Sequence, residues 1–200
     1  MQVSLLSLCP KSWKVLFLLK ENEISFEFKT LPLNEKKALK IGTYDSFLSY
    51  LLDNIDILIP KELRKESGKF IDEIENDLCN NLVMKIRNER IINPLVKRIP
   101  PNTNKLQGYR TNLKKSLKNY SKIVGKNTWL LKEGFSIADI YLSTCIAVLD
   151  YLGEVSWKDN EIKDLYDWYL KIKCKSSFEP ILRQRCEGVP PHKNFINLDF

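Results

Sequence analysis

The chain of 200 residues is 44% hydrophobic and 28% charged, the balance of a globular protein with a real core, which excludes a disordered or fibrous chain. Its formal charge of +7 is uneven, because residues 85–126 hold twelve Lys or Arg against one acid, Glu89, while the remainder is slightly acidic. No run approaches the roughly 20 apolar residues of a membrane span, and Met1 to Leu8 lacks the basic start and cleavage site of a secretory signal, so we expect a cytoplasmic protein without membrane insertion.

Val3 to Leu8 reads as a buried strand, Cys9-Pro10 as a turn, and Trp13, Leu16, Phe17 and Leu19 as the apolar side of a helix. That is the strand-turn-helix opening of an α/β unit. Ile24, Phe26 and Phe28 alternate with polar residues and predict a second strand. Leu31-Pro32-Leu33 and Ala38 to Ile41, separated by Asn34-Glu35-Lys36-Lys37, suggest a hairpin, after which Phe47, Tyr50 and Leu51 return to helical spacing. Past Pro60 the strand signals stop, and Leu63, Phe70, Ile74, Leu78, Leu82 and Ile86 begin a long helix.

Leu106, Tyr109, Leu113, Leu117 and Tyr120 mark another helix, with Lys105, Arg110, Lys114, Lys115, Lys118 and Lys122 mostly off that stripe. It presents a positive outer face, which reads either as a plain solvated surface or as one made for an acidic partner. Nucleic acid comes third, since no zinc-finger, recognition-arm or aromatic-glycine RNA motif accompanies the charge. Ser136 and Asp139 then form an acidic capping box. The helix it opens, with Ile137, Ile140, Tyr141, Cys145, Val148, Leu149 and Leu152, has little room for a solvated side and should be a buried strut. Five cysteines, Cys9, Cys79, Cys145, Cys174 and Cys186, lack CxxC or Cys/His ligand spacing, so we expect reduced thiols and no metal site. The organisation is thus an α/β unit over 1–54, an all-helical unit over 61–182 and a tail over 183–200.

The Cys-Pro turn after the first strand, the Leu-Pro-Leu segment and the Ser-x-x-Asp box in a helical second half resemble the glutathione transferase superfamily across nearly the whole chain. The resemblance implies a thioredoxin-like first domain, shortened here, an all-α second domain, and Pro32 as a cis proline. A narrower likeness lies in Asn93-Pro94-Leu95, Tyr109-Arg110, Leu149 to Trp157, Asp167-Trp168-Tyr169, Ser177-Phe178, Pro180-Ile181-Leu182, Pro190-Pro191 and the terminal Asn197-Leu198-Asp199-Phe200. These are similar to the alphaproteobacterial FtsZ-localized protein A group of glutathione-transferase-like division proteins. That likeness implies a homodimer at the division site that binds FtsZ filaments and promotes constriction, with no cofactor and no glutathione chemistry.

Family membership does not fix activity, so the enzyme reading stays open. Ser12 or Cys9, at the turn before the first helix, would be the catalytic candidates, because helix amides there can stabilise a thiolate. The resemblance would place bound glutathione against Pro32, Thr43 and Tyr44. Active relatives carry an acid or glutamine followed by serine at the last two positions, and Asp45-Ser46 offers that pair only if the alignment slides by two residues. Between Phe28 and Pro32 three residues remain where active relatives place a whole helix, so either the α/β unit has lost that helix or another proline holds the cis position. For a binding protein, Arg87, Arg90, Arg110, Lys114, Lys115 and Lys118 are the candidate partner contacts. Asp199 and Phe200 of the tail join them, although Phe195, Leu198 and Phe200 would equally serve as residues packed back on the helical unit. His192 has no nucleophile partner in the sequence, which argues against a histidine-based triad.

Overall fold

The computed structural model describes residues 2–33, 64–131 and 134–196. Strand β1 (Gln2–Leu6) leads through Ser7 and Leu8 into helix α1 (Pro10–Glu21), and β2 (Glu27–Leu31) returns parallel to β1, with Gln2 opposite Glu27 and Leu6 opposite Leu31. A parallel pair requires a crossover, and α1 supplies it. Pro10 opens the helix where its missing N–H is no loss. Residues 10–19 of α1 are all buried, so this helix is sunk in the molecule rather than laid on it.

The second strand begins at Glu27, later than the Ile24 and Phe26 alternation predicts, and its exposed Phe28 lies on a thinly covered sheet. It ends at Leu31 because Pro32 has no N–H to give the ladder. Pro32 is exposed and its peptide bond is trans, which corrects the cis assignment: this proline closes the second strand of the β1-α1-β2 unit. The rest of the expected hairpin, Ala38 to Ile41, and the helical spacing at Phe47, Tyr50 and Leu51 lie outside the described residues.

From Arg64 the chain is helical. Helix α2 (Arg64–Glu73) passes without a break into wide turns over Ile74–Val83, then α3 (Met84–Arg87) and a second wide stretch over Asn88–Val96 that contains Pro94. Helix α4 (Thr103–Asn127) starts on Asn102, whose side chain accepts from the Lys105 amide at 2.9 Å. Leu106, Leu113, Leu117 and Tyr120 of α4 are buried, as the periodicity predicts. Every residue of α5 (Ile137–Tyr151) is buried. It is the strut foreseen in the sequence, with α1 on one side and the Ile74–Val83 segment packed beside it. A short 3-10 turn (Asn160–Ile162), α6 (Lys163–Lys173), α7 (Glu179–Leu182) and α8 (Lys193–Ile196) finish the helical part. One contiguous hydrophobic core runs from Val3 and Leu5 through α1 and α5 to Phe195.

Candidate functional site

The start of α1 holds both catalytic candidates, Cys9 and Ser12. Ser12 is fully buried and its hydroxyl accepts from the Leu6 N–H at 3.0 Å, so it pins the helix to the end of β1. Cys9 caps α1 with no side-chain hydrogen bond and is 2% exposed. Behind it stands Arg87, buried, donating from Nη2 to the Ser7 carbonyl at 2.9 Å and leaving Nε without a partner. Burial lowers the Arg87 pKa, opposed by the nearby thiols of Cys9 and Cys186. The expectation of Arg87 as a surface contact is therefore corrected, because its charge points inward beneath the α1 turn. Of the residues a tripeptide thiol would need, Pro32 is exposed at the strand end, and Thr43 and Tyr44 lie outside the described residues.

One turn further along α1, Lys14 is fully buried and pairs with Glu75, which Lys11 also reaches at 3.0 Å. The Lys14 ammonium lies 4.0 Å from the centre of the Tyr141 ring. Burial would lower the Lys14 pKa, but Cys79, Cys145 and Glu75 together raise it. Burial likewise works to raise Glu75, and Lys14 and Lys11 hold it below the usual carboxylate value. Cys79 and Cys145 share a hydrogen bond beside this pair. Sequence reasoning missed this cluster, whose only signal was a lysine inside an apolar helical stretch.

The basic face of α4 exists, but most of its candidate contacts are engaged within the chain. Arg110 grips Glu154 through Nε at 2.7 Å and Nη2 at 2.9 Å, Arg90 takes the same carboxylate, and the Glu154 side chain is left only 2% exposed. Lys114 pairs with Asp159 at 3.0 Å and Lys118 with Glu161. The Glu154 hydrogen bond raises the Arg110 pKa, and Asp159 does the same for Lys114. Asp159 in turn is lowered, first by the Glu161 amide and then by Lys114. Lys115 is exposed and has no ion pair among the described residues. These cations staple α4 to the segment that follows α5. Against it lies a cavity of about 550 Å³ walled by Arg110, Lys114, Trp157 and Lys158, and by His192 and Lys193 of the tail.

The capping box forms as the sequence implies. Asp139 Oδ2 accepts from the Ser136 amide at 2.9 Å and its hydroxyl at 2.8 Å, while Oδ1 accepts from the Leu130 amide at 3.0 Å and Trp168 Nε1 at 2.9 Å. Burial raises the Asp139 pKa, and these four donors pull against it. The tail packs on the helical part up to Ile196: His192 N–H donates to the Tyr151 carbonyl at 2.8 Å, Lys173 to the Asn194 carbonyl at 2.7 Å, and Phe195 is fully buried. Leu198, Asp199 and Phe200 lie outside the described residues. Among the described residues no three His, Cys, Asp or Glu side chains converge as a metal site, and no helix is long and apolar enough to cross a membrane.

No family model matches the chain. Its sequence is 27% identical over 137 residues to FtsZ-localized protein A of Caulobacter vibrioides, a match spanning 68% of this chain and 59% of that protein's length. In structure it is similar to FzlA from C. crescentus, with a TM-score of 0.85 at 20% identity, covering 100% of this chain and 99% of the other. A glutathione S-transferase from Rhodospirillum rubrum F11 gives 0.81 at 19% identity over 98% and 99% of the two chains. One from Sinorhizobium meliloti 1021 gives 0.81 at 22% over 100% and 99%. The short parallel sheet with its buried crossover helix and the helical remainder accordingly make this chain a protein of the glutathione transferase fold, similar to FtsZ-localized protein A.

Proposed function

We propose that this chain is an FtsZ-associated cell-division protein that acts by binding, as a homodimer at the division site, rather than by glutathione chemistry. The observation that carries the reading is the twofold likeness to FtsZ-localized protein A, in sequence over 137 residues and in fold over the whole chain. The state of the α1 turn supports it, since the Ser12 hydroxyl is occupied by the Leu6 amide and Cys9 is buried. The mechanism is electrostatic and mechanical: basic faces on two symmetry-related copies meet acidic filament surface and hold two sites at once. The test is co-sedimentation with FtsZ polymer beside glutathione binding on one preparation. Pelleting with polymer and no glutathione retention is the expected result; glutathione binding without pelleting would overturn the reading.

A second reading rests on a specific observation. Cys9 at the cap of α1 makes no side-chain hydrogen bond, and the Arg87 guanidinium behind it has no carboxylate partner among the described residues, which suits a thiolate at Cys9 or that of bound glutathione. Turnover of a generic electrophile with glutathione that disappears in Cys9→Ala would favour a transferase or reductase.

A further inference from the structure

Two cavities of about 550 and 540 Å³ share Arg110 and Lys114 of α4, the first reaching in to Leu113 and Leu117 and the second lying on the helix's outer side. The first is bounded by residues 153–159 and 192–194, and the second follows α4 from Gln107 to Lys118. At 1.5 Å rise per residue that stretch is roughly 16 Å long, the reach of about five extended residues at ~3.3 Å each. The acids along the trough are already satisfied. Glu154 is enclosed by Arg90 and Arg110, and Asp159 accepts from the Glu161 amide and Lys114, each at 3.0 Å. The surplus is cationic: Lys115, Lys158 and Lys193 come from three separate segments, are exposed, and have no carboxylate partner among the described residues. Trp157 gives the trough an apolar ledge. Its ring stacks on Tyr169 at 5.4 Å and its Nε1 donates to Asp150 at 2.7 Å, so the ledge is set before anything binds.

We propose that this trough binds an extended acidic peptide segment of a partner protein, with carboxylates on Lys115, Lys158 and Lys193 and an apolar side chain on Trp157. A long open groove with cations spaced along it suits a strand carrying several charges, where a small anion would leave most of them unmatched. The inference goes beyond the division reading and does not depend on it, because the probe is a synthetic peptide.

The experiment titrates the full chain into a fluorescein-labelled peptide alternating Glu with Val and Phe, reading anisotropy at low and physiological salt. Controls are the same peptide with Gln for Glu and a short duplex DNA. The acidic peptide should bind and the Gln peptide should not. Reversing Lys115→Glu, Lys158→Glu and Lys193→Glu together should weaken binding by about ten-fold or more, while Lys85→Glu, Lys122→Glu and Lys126→Glu, the same charge change elsewhere, should leave it within about two-fold. The neutral set Lys115→Gln, Lys158→Gln and Lys193→Gln gives a second arm, with a loss of about three-fold or more. No binding by the unaltered chain, equal loss in both reversal sets, or tighter binding of the duplex than of the acidic peptide would overturn the proposal. Pelleting with FtsZ polymer alongside a negative peptide result would overturn this inference and leave the division reading standing.

Discussion

Lys14 has an ammonium group taken out of water, and its neighbours make that tolerable. Glu75 gives it a counter-charge and Tyr141 a ring face, while Lys11 completes the carboxylate's contacts. Glu75→Ala should cost about 3 kcal/mol or more in urea denaturation, because it leaves a buried cation uncompensated. Glu75 titrates below its usual 4.5 when folded, so its contribution is complete above about pH 4.5 and is lost as pH falls through the lowered value. The acid limb of a stability-versus-pH curve should therefore be shallower in Glu75→Gln than in the parent. Asp139 has the opposite sign: its folded pKa is raised, so that its contribution is complete below its usual 3.8 and declines as pH rises through the folded value. Its four hydrogen bonds still hold the start of α5, and Asp139→Ala should cost about 3 kcal/mol by the same measurement. The two residues also differ in how visible they are. Ser136 and Asp139 lie three positions apart and announce themselves, whereas Lys14 and Glu75 are separated by 61 positions and no local pattern links them.

At the scale of elements, α4 and the tail show what periodicity can and cannot deliver. The spacing of Leu106, Leu113, Leu117 and Tyr120 identifies the buried side of α4 and hence its charged side. It does not say that Arg110, Lys114 and Lys118 lie against Glu154, Asp159 and Glu161, since charge partners depend on how α4 meets the loop after α5. The tail left two options open in the sequence, and the described part takes the packed one. Phe195 stands 6.2 Å from the Trp13 ring and 5.0 Å from Tyr151, joining α1, α5 and the tail. Phe195→Ala should cost about 3–5 kcal/mol, read as a lowered urea midpoint, since the cavity opens in the middle of the core. Nearby, Gly153 has φ +69° and a Cβ there would stand 2.9 Å from the His192 ring. Gly153→Ala should lower stability by about 1 kcal/mol, through the left-handed backbone and the displaced ring.

On the scale of the whole molecule, the α/β and helical units share one core, with Trp13 of α1 against Tyr151 of α5 and Phe195 of the tail. Thermal unfolding should therefore be a single cooperative step, with far-ultraviolet dichroism and tryptophan fluorescence giving the same midpoint. Two separated midpoints would mean that the units melt independently. Residue order alone was enough for the α/β start, the helical remainder, the buried strut and its cap, because those rest on periodicity and on contacts within a few positions. The burial of Arg87, the stapling of the α4 cations and the seat of Phe195 came only from the folded arrangement. Each of these turns on a partner many residues away, and whether a charge faces water or another chain segment is a property of packing that no short stretch of sequence carries.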